Sequence, residues 1–181
     1  MTTALRILVF VAFACLVLQI LLRGSRIKPG AIGRPPIPRP AFFIAKLSLS
    51  VSLLLMLLCA IRGGVQLPPA LAVVFVCLLL AGAVIMIFAC ADLGTNLRMG
   101  LPEQDTALVT TGLYAFSRNP LYLALFLLLA ASVIYAFSWF NAAVAAVAAI
   151  LHHWIVLAEE RYLAGHFAEF EDYRLRVRRY V

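Results

Sequence analysis

Hydrophobic and polar positions fall in long alternating blocks along this chain. Leu5 to Leu22 is an almost unbroken apolar run, followed by a basic stretch from Arg26 to Pro40 that holds five prolines and so reads as a loop. Ala41 to Ile61 is a second run, with Lys46 near its start, where the ammonium could snorkel to an interface. Gly63-Gly64 and Pro68-Pro69 bracket a turn, and a third run extends from about Leu71 to Ala91. Asp92 to Arg118 is polar, and Leu121 to Leu157 is apolar again. A hydrocarbon core about 30 Å thick takes roughly 20 residues per helix. The last run is too long for one span, and Ser138, Trp139 and Asn141 mark its midpoint as the turn of an αα-hairpin. In the polar tail from Glu159 to Val181, Leu163, Phe167, Phe170 and Tyr173 recur at helical spacing, which predicts one amphipathic interfacial helix over 162–180. The fold expected is all-α: a polytopic membrane protein of about five transmembrane helices, with a C-terminal helical hairpin and an amphipathic cytoplasmic tail helix.

Composition agrees with that reading. Of 181 residues 65% are apolar and 13% charged, against about half and a quarter in a soluble domain. A chain of this size has no interior large enough to hide so much hydrocarbon, which excludes a soluble enzyme, a disordered chain and a disulfide scaffold. The first run is retained as a span, because Arg23-Gly24-Ser25-Arg26 offers no small-residue cleavage site. Cys15, Cys59, Cys77 and Cys90 all lie inside apolar runs without CxxC spacing, so neither a metal nor a redox pair is expected. The sequence pI near 9.7 does not point to nucleic acid. Twelve of the 15 basic residues fall in segments 23–40, 92–120 and 159–181, whereas the opposite side holds only Arg6 and Arg62. By the positive-inside rule those three segments are cytoplasmic and the N-terminus lies outside.

Three polar groups could carry chemistry. Thr110 to Tyr122 contains Ser117-Arg118-Asn119-Pro120, in which Asn119 suits a helix N-cap and Pro120 the first helical position. The free N–H groups of that helix start, beside Arg118, suit an anionic group, although a cap next to a positive-inside arginine would look the same. Glu159-Glu160 are adjacent carboxylates at a membrane edge; they could take sugar hydroxyls or a cationic ligand, or be answered by Arg161 or the arginines at 174, 176, 178 and 179. Along a continuous helix, however, those four arginines would begin roughly 20 Å beyond Glu160. His152 and His153 diverge by about 100° on a helix, so they do not form a shared metal site, and a neutral histidine bonded to a neighbouring helix is the plainer reading.

Taken in order, LVTTGLYAFSRNPLYL (108–123), a helical hairpin, EERYL (159–163) and FEDYRLRVRRYV (170–181) resemble the membrane methyltransferase superfamily. That superfamily holds isoprenylcysteine carboxyl methyltransferases and phosphatidylethanolamine N-methyltransferases. LGTNLRMGLPEQDTALV (93–109) is similar to the polar run leading into the same core in bacterial members. The resemblance divides a single integral membrane domain, 1–181, into three N-terminal spans (1–91) and a methyltransferase-like core (92–181). It implies S-adenosyl-L-methionine bound at the cytoplasmic ends of the last two spans by Val109, Thr110, Gly112, Tyr114, Arg118, Asn119, Pro120, Tyr122, Glu159, Glu160 and Leu163, with Glu160 and Arg176 as catalytic candidates. Arg176 would orient an acidic acceptor group. This chain departs from the family pattern at Asn119, where histidine is common, at Ala124, where glycine is common, and at Arg178, where many relatives have proline.

The implied function is S-adenosylmethionine-dependent methylation, at the cytoplasmic face of a bacterial inner membrane, of a lipid or prenylated acceptor entering from the bilayer. Membrane lipids are the expected partners, with no nucleic acid and no metal. A carboxylate nucleophile needs no general base whereas an amine must lose a proton. The lack of a base motif therefore favours carboxyl O-methylation of an isoprenylcysteine-type substrate over phospholipid N-methylation. An NADPH-dependent sterol reductase is a more distant resemblance, and a small membrane scaffold or transporter subunit is the non-enzymatic alternative.

Overall fold

The computed structural model describes residues 2–24, 33–97, 100–101 and 107–181. Arg26, Lys28, Arg98 and most of the 98–106 run fall outside the described residues. Five apolar helices follow one another: α1 (Thr2–Gly24), α2 (Arg39–Ile61), α3 (Pro69–Leu93), α4 (Pro120–Tyr135) and α5 (Trp139–His166), and a short α6 (Phe170–Arg176) completes the set. Among the described residues there is no named strand, and the protein is an all-α membrane protein. Helices α2, α3 and α5 are long and apolar enough to cross a bilayer, while α4, at 16 residues, rises about 24 Å. Outward-facing Leu47, Val73 and Ile150 are each more than 60% exposed, as a hydrocarbon solvent allows and water does not.

The boundaries follow local chemistry. Proline occupies the first turn of α2, α3 and α4, where its missing N–H costs nothing. Gly63 and Gly64 turn the chain after α2 at positive φ. Ser138 caps α5, its Oγ accepting from the Asn141 N–H at 3.0 Å.

Packing runs antiparallel from helix to helix. Arg6 Nε donates to Ala60 O at 2.8 Å, which joins the start of α1 to the end of α2. Phe75 stacks on Tyr135 at 4.8 Å between ring centroids, and Gly82 lets α3 approach α4 so closely that a Cβ there would press on Leu128. Lys46 meets His152 and Ser52 meets Asn141, which sets α5 against α2. The ends of α1, α3 and α5 therefore share one face with the starts of α2 and α4. Arg34, Arg118 and Arg176 are on that face, and Arg6 and Arg62 are on the other. An antiparallel bridge, Leu101 N–H to Arg34 O at 2.8 Å, links the chain before α2 to the chain after α3.

One expectation is corrected. The tail is not one helix over 162–180: α5 continues to His166, the chain breaks at Phe167, and α6 is followed by an extended strap from Val177 to Val181. Phe170 and Tyr173 are buried, and the Tyr173 hydroxyl donates to Tyr114 O at 2.6 Å, so the apolar side of the tail packs on protein rather than lipid. Lys46 Nζ donates to His152 Nε2 at 3.5 Å and lies over the ring of Phe42, one turn nearer the start of α2.

At the other end of the bundle, buried Ser52, Ser132 and Asn141 tie α2, α4 and α5 together. Ser52 Oγ donates to Asn141 Oδ1 at 2.8 Å, Ser132 Oγ to Ser52 O at 2.7 Å, and Asn141 Nδ2 to Ala136 O at 3.1 Å. Hydrogen bonds between membrane helices are worth about 1 kcal/mol each. Asn141→Ala removes several of them and should lower stability by about 1–2 kcal/mol in detergent unfolding. Ser50→Ala, on an exposed hydroxyl, should leave it unchanged; equal melting of the two variants would contradict the polar tie.

Candidate functional site

A cavity opens where the end of α3, the start of α4, the end of α5 and α6 converge, with residues 107–109 and Leu101 across it. Its wall carries Leu93, Leu97, Leu121, Leu163, Phe167 and Phe170 as apolar surface and Tyr114, Arg118, Asn119, Tyr122, Glu159 and Glu160 as polar groups. The wall exists because each element brings one face to it. Pro120 starts α4, so Tyr122 falls in its first turn; Glu159 and Glu160 lie in the last two turns of α5.

Glu160 is the most heavily engaged of these groups. Arg118 grips it with Nε to Oε1 at 3.1 Å and Nη2 to Oε2 at 3.2 Å, Asn119 Nδ2 donates to Oε1 at 2.8 Å, and Arg179 pairs with Oε2 at 2.9 Å. Arg118 also donates Nη1 to the carbonyls of Arg174 and Val177, and its backbone N–H to Arg178 O at 2.9 Å. The strap therefore folds back onto the start of α4, and Arg179 reaches Glu160. The separation of roughly 20 Å expected from a continuous helix does not hold. Asn119 is not a side-chain cap of α4 either, because its amide is turned to Glu160 and to Arg179 O. Among the described residues the start of α4 thus has no side-chain cap.

Glu159 is held differently. The Tyr122 hydroxyl lies 2.9 Å from both carboxylate oxygens, and among the described residues no cation comes within 4 Å. Behind Tyr122, His152 is fully buried; its Nδ1–H donates to Ala148 O at 2.8 Å, leaving Nε2 to accept from Lys46. His153 turns the other way and shares a 2.7 Å hydrogen bond with Tyr180 of the strap. Among the described residues no three His, Cys, Asp or Glu side chains gather to hold a metal ion.

Of the residues singled out from the sequence, Val109, Tyr114, Arg118, Asn119, Tyr122, Glu159, Glu160 and Leu163 line the cavity. Thr110, Gly112, Pro120 and Arg176 do not. Gly112 sits at φ +63°, where a Cβ would run into the Asp92 carboxylate, and Asp92 accepts from the Leu113 N–H at 2.8 Å; the glycine shapes the turn that presents Tyr114. Arg176 lies on the exposed side of α6, its Nε donating to Asp172 O. Asn96, Tyr162, Phe167, Phe170 and Tyr173 are wall residues that the sequence did not mark as such. Phe167, Phe170 and Tyr173 had shown helical spacing, but that pattern alone does not say whether a face meets lipid or protein.

The family model for phospholipid methyltransferases matches residues 70–169, more than half of the chain. The chain belongs to the phospholipid methyltransferase family. Comparison with curated proteins and comparison with solved structures give no match. As a member of that family the protein is an integral membrane methyltransferase. The matched region runs from the start of α3 past the end of α5, and so includes Asp92, Arg118 and both glutamates. It leaves out α6, whose Phe170 and Tyr173 close one side of the cavity in this methyltransferase, and the strap that packs behind them.

The tyrosines outside the spans report how dry that side is. Burial raises the Tyr114 phenol well above its usual range, and burial also pushes Tyr173 up to about 12 against the opposing pull of Arg118. Both are held as neutral hydrogen-bonding groups. Removing one member of a buried ion pair is typically worth 3–5 kcal/mol, and Arg118 and Glu160 are each 8% exposed. Arg118→Gln should therefore destabilise the protein by about 3 kcal/mol and speed hydrogen exchange at the amides of 177–181. Strap exchange equal to the parent's would show that Arg118 does not hold it.

Proposed function

We propose that this methyltransferase uses S-adenosylmethionine and methylates a lipid-like acceptor that reaches the cavity from the bilayer, within one membrane domain whose cavity face is cytoplasmic. The sidedness rests on the arginine and lysine asymmetry of the loops. The observation that carries the cofactor reading is Glu159: a carboxylate on the cavity wall, oriented by Tyr122, with no cation within 4 Å of it among the described residues. A carboxylate in such a place is costly unless something positive answers it. S-Adenosylmethionine would supply a methyl group on a positively charged sulfur, together with an ammonium and a ribose diol.

The remaining donors fit the same molecule. The α4 start offers N–H groups without a side-chain cap, where a carboxylate is stabilised by the helix dipole. Tyr162, Phe167 and Phe170 offer flat apolar surface for a base. Arg118 and Glu160 serve as the frame, since their charges are spent on each other and on the strap. The chain's task is then to position two reactants and keep water out.

The acceptor reading shifts with the geometry. Carboxyl O-methylation of an isoprenylcysteine-type substrate was favoured by the apparent lack of a base. Glu159 with Tyr122 is a group able to take a proton, and it repels a second carboxylate while attracting an ammonium. A lipid amine is therefore the acceptor that the charge of the cavity supports, with the isoprenylcysteine-type carboxylate as the competing reading. Incubation of the purified protein with methyl-labelled S-adenosylmethionine and both lipid classes, followed by mass spectrometry, should place label on the amine lipid; label on neither would sink the reading. Glu159→Gln should weaken S-adenosylhomocysteine binding about tenfold or more in calorimetric titration, and Tyr122→Phe by less. Unchanged affinity in Glu159→Gln would remove Glu159 from the cofactor site.

A further inference from the structure

A second concavity lies on the outer flank of α5, with Glu160 and Phe170 as the wall it shares with the first. Trp154, Leu157, Arg161 and Ala164 line it from α5, Phe170 and Arg174 from α6, and Arg179 from the strap. Positions 154, 157, 161 and 164 follow helical spacing, so they form one stripe on α5. The stripe has a direction. From Trp154 to Arg161 the helix rises about 10 Å, from an aromatic ring 41% exposed among apolar neighbours to a guanidinium at the polar end of the span.

The concavity has more positive charge than it uses. Arg161, Arg174 and Arg179 line it against one carboxylate, Glu160, which is already paired with Arg118 and Arg179, while Arg174 pairs with Glu171. Arg161 donates Nε to Leu157 O at 3.2 Å, and among the described residues no carboxylate lies within 4 Å of it. Arg174 and Arg179 are paired but remain 53% and 38% exposed, whereas Arg118 is sealed at 8%. The reachable guanidinium groups are thus the three on the outer side of Glu160.

We propose that this concavity binds the headgroup phosphate of an anionic phospholipid, with an acyl chain lying along Leu157 and Trp154. Guanidinium forks match phosphate oxygens, tryptophan settles at the boundary between headgroup and hydrocarbon, and an anionic leaflet concentrates such lipids at basic segments. A free phosphate shares the headgroup chemistry but gains nothing from the apolar half of the stripe. The site lies outside the first cavity and stands independently of the cofactor and acceptor readings.

The chain has two tryptophans, and Trp139→Phe leaves Trp154 as the sole reporter. The full-length variant is placed in vesicles of zwitterionic phosphatidylcholine containing brominated-chain phosphatidylglycerol or, at equal mole fraction, brominated-chain phosphatidylcholine. The expected result is stronger quenching of Trp154 by the anionic lipid, insensitive to millimolar inorganic phosphate. Arg161→Gln with Arg174→Gln should cut the preference at least fivefold, since a basic residue near an anionic surface is worth roughly that factor. Arg161→Gln alone, on a side chain without an ion pair, should show part of the loss and guards against a folding defect in the double variant. Equal quenching by the two lipids, or a preference that survives both substitutions, would overturn the site. Abolition of the preference by free phosphate would overturn its assignment to a lipid.

Discussion

The Glu160 carboxylate, gripped by Arg118, Asn119 and Arg179, is the junction on which the cavity end of this protein depends. It joins the end of α5, the start of α4 and the C-terminal strap, which are 41 and 19 residues apart from it in sequence. A buried ion pair is poor as a source of net stability, because desolvation offsets most of the attraction, but breaking one is expensive. Such a junction therefore specifies geometry. With Glu160 fixed, the carbonyls of residues 174, 177 and 178 come to Arg118, the strap closes, and Phe170 and Tyr173 are pressed into the wall.

Two adjacent glutamates consequently do different work. Neighbouring side chains on a helix diverge by about 100°. Glu160 faces the arginines of the strap, and Glu159 faces Tyr122 and the cavity. The same divergence separates the two histidines about two turns deeper in α5: His152 turns to Lys46 of α2, and His153 to Tyr180 of the strap. Each pair links α5 to two different neighbours, so α5 serves as the spine against which α2, α4 and the tail are registered. The polar tie at Ser52, Ser132 and Asn141 sets that register at the opposite end of the bundle.

Much of this was legible in the chain. Apolar runs of bilayer length set the helices, because in hydrocarbon every backbone group must be bonded within its own segment. Prolines at 40, 69 and 120 and the glycines at 63 and 64 marked the boundaries, and lysine and arginine counts grouped Arg34, Arg118 and Arg176 on one face. Cavity-lining Arg118, Asn119, Tyr122, Glu159, Glu160 and Leu163 were also found from the order of their motifs, since those motifs sit at helix ends that an antiparallel bundle must bring to the same side.

The sequence alone determined the helical membrane fold, the sharing of one face by the polar segments, and the family motifs. It could not decide which carboxylate would be bound and which left facing the cavity, because that depends on partners 19 to 42 residues away. Nor could it decide the path of the tail. Leu163, Phe167, Phe170 and Tyr173 have the periodicity of an interfacial helix, and a period reports which side chains share a face but not whether that face meets lipid or protein. Tertiary structure decided both points through one physical fact: the carbonyls and arginines of the strap satisfy Arg118 and Glu160 inside the protein, and that requires the chain to break at Phe167 and turn back.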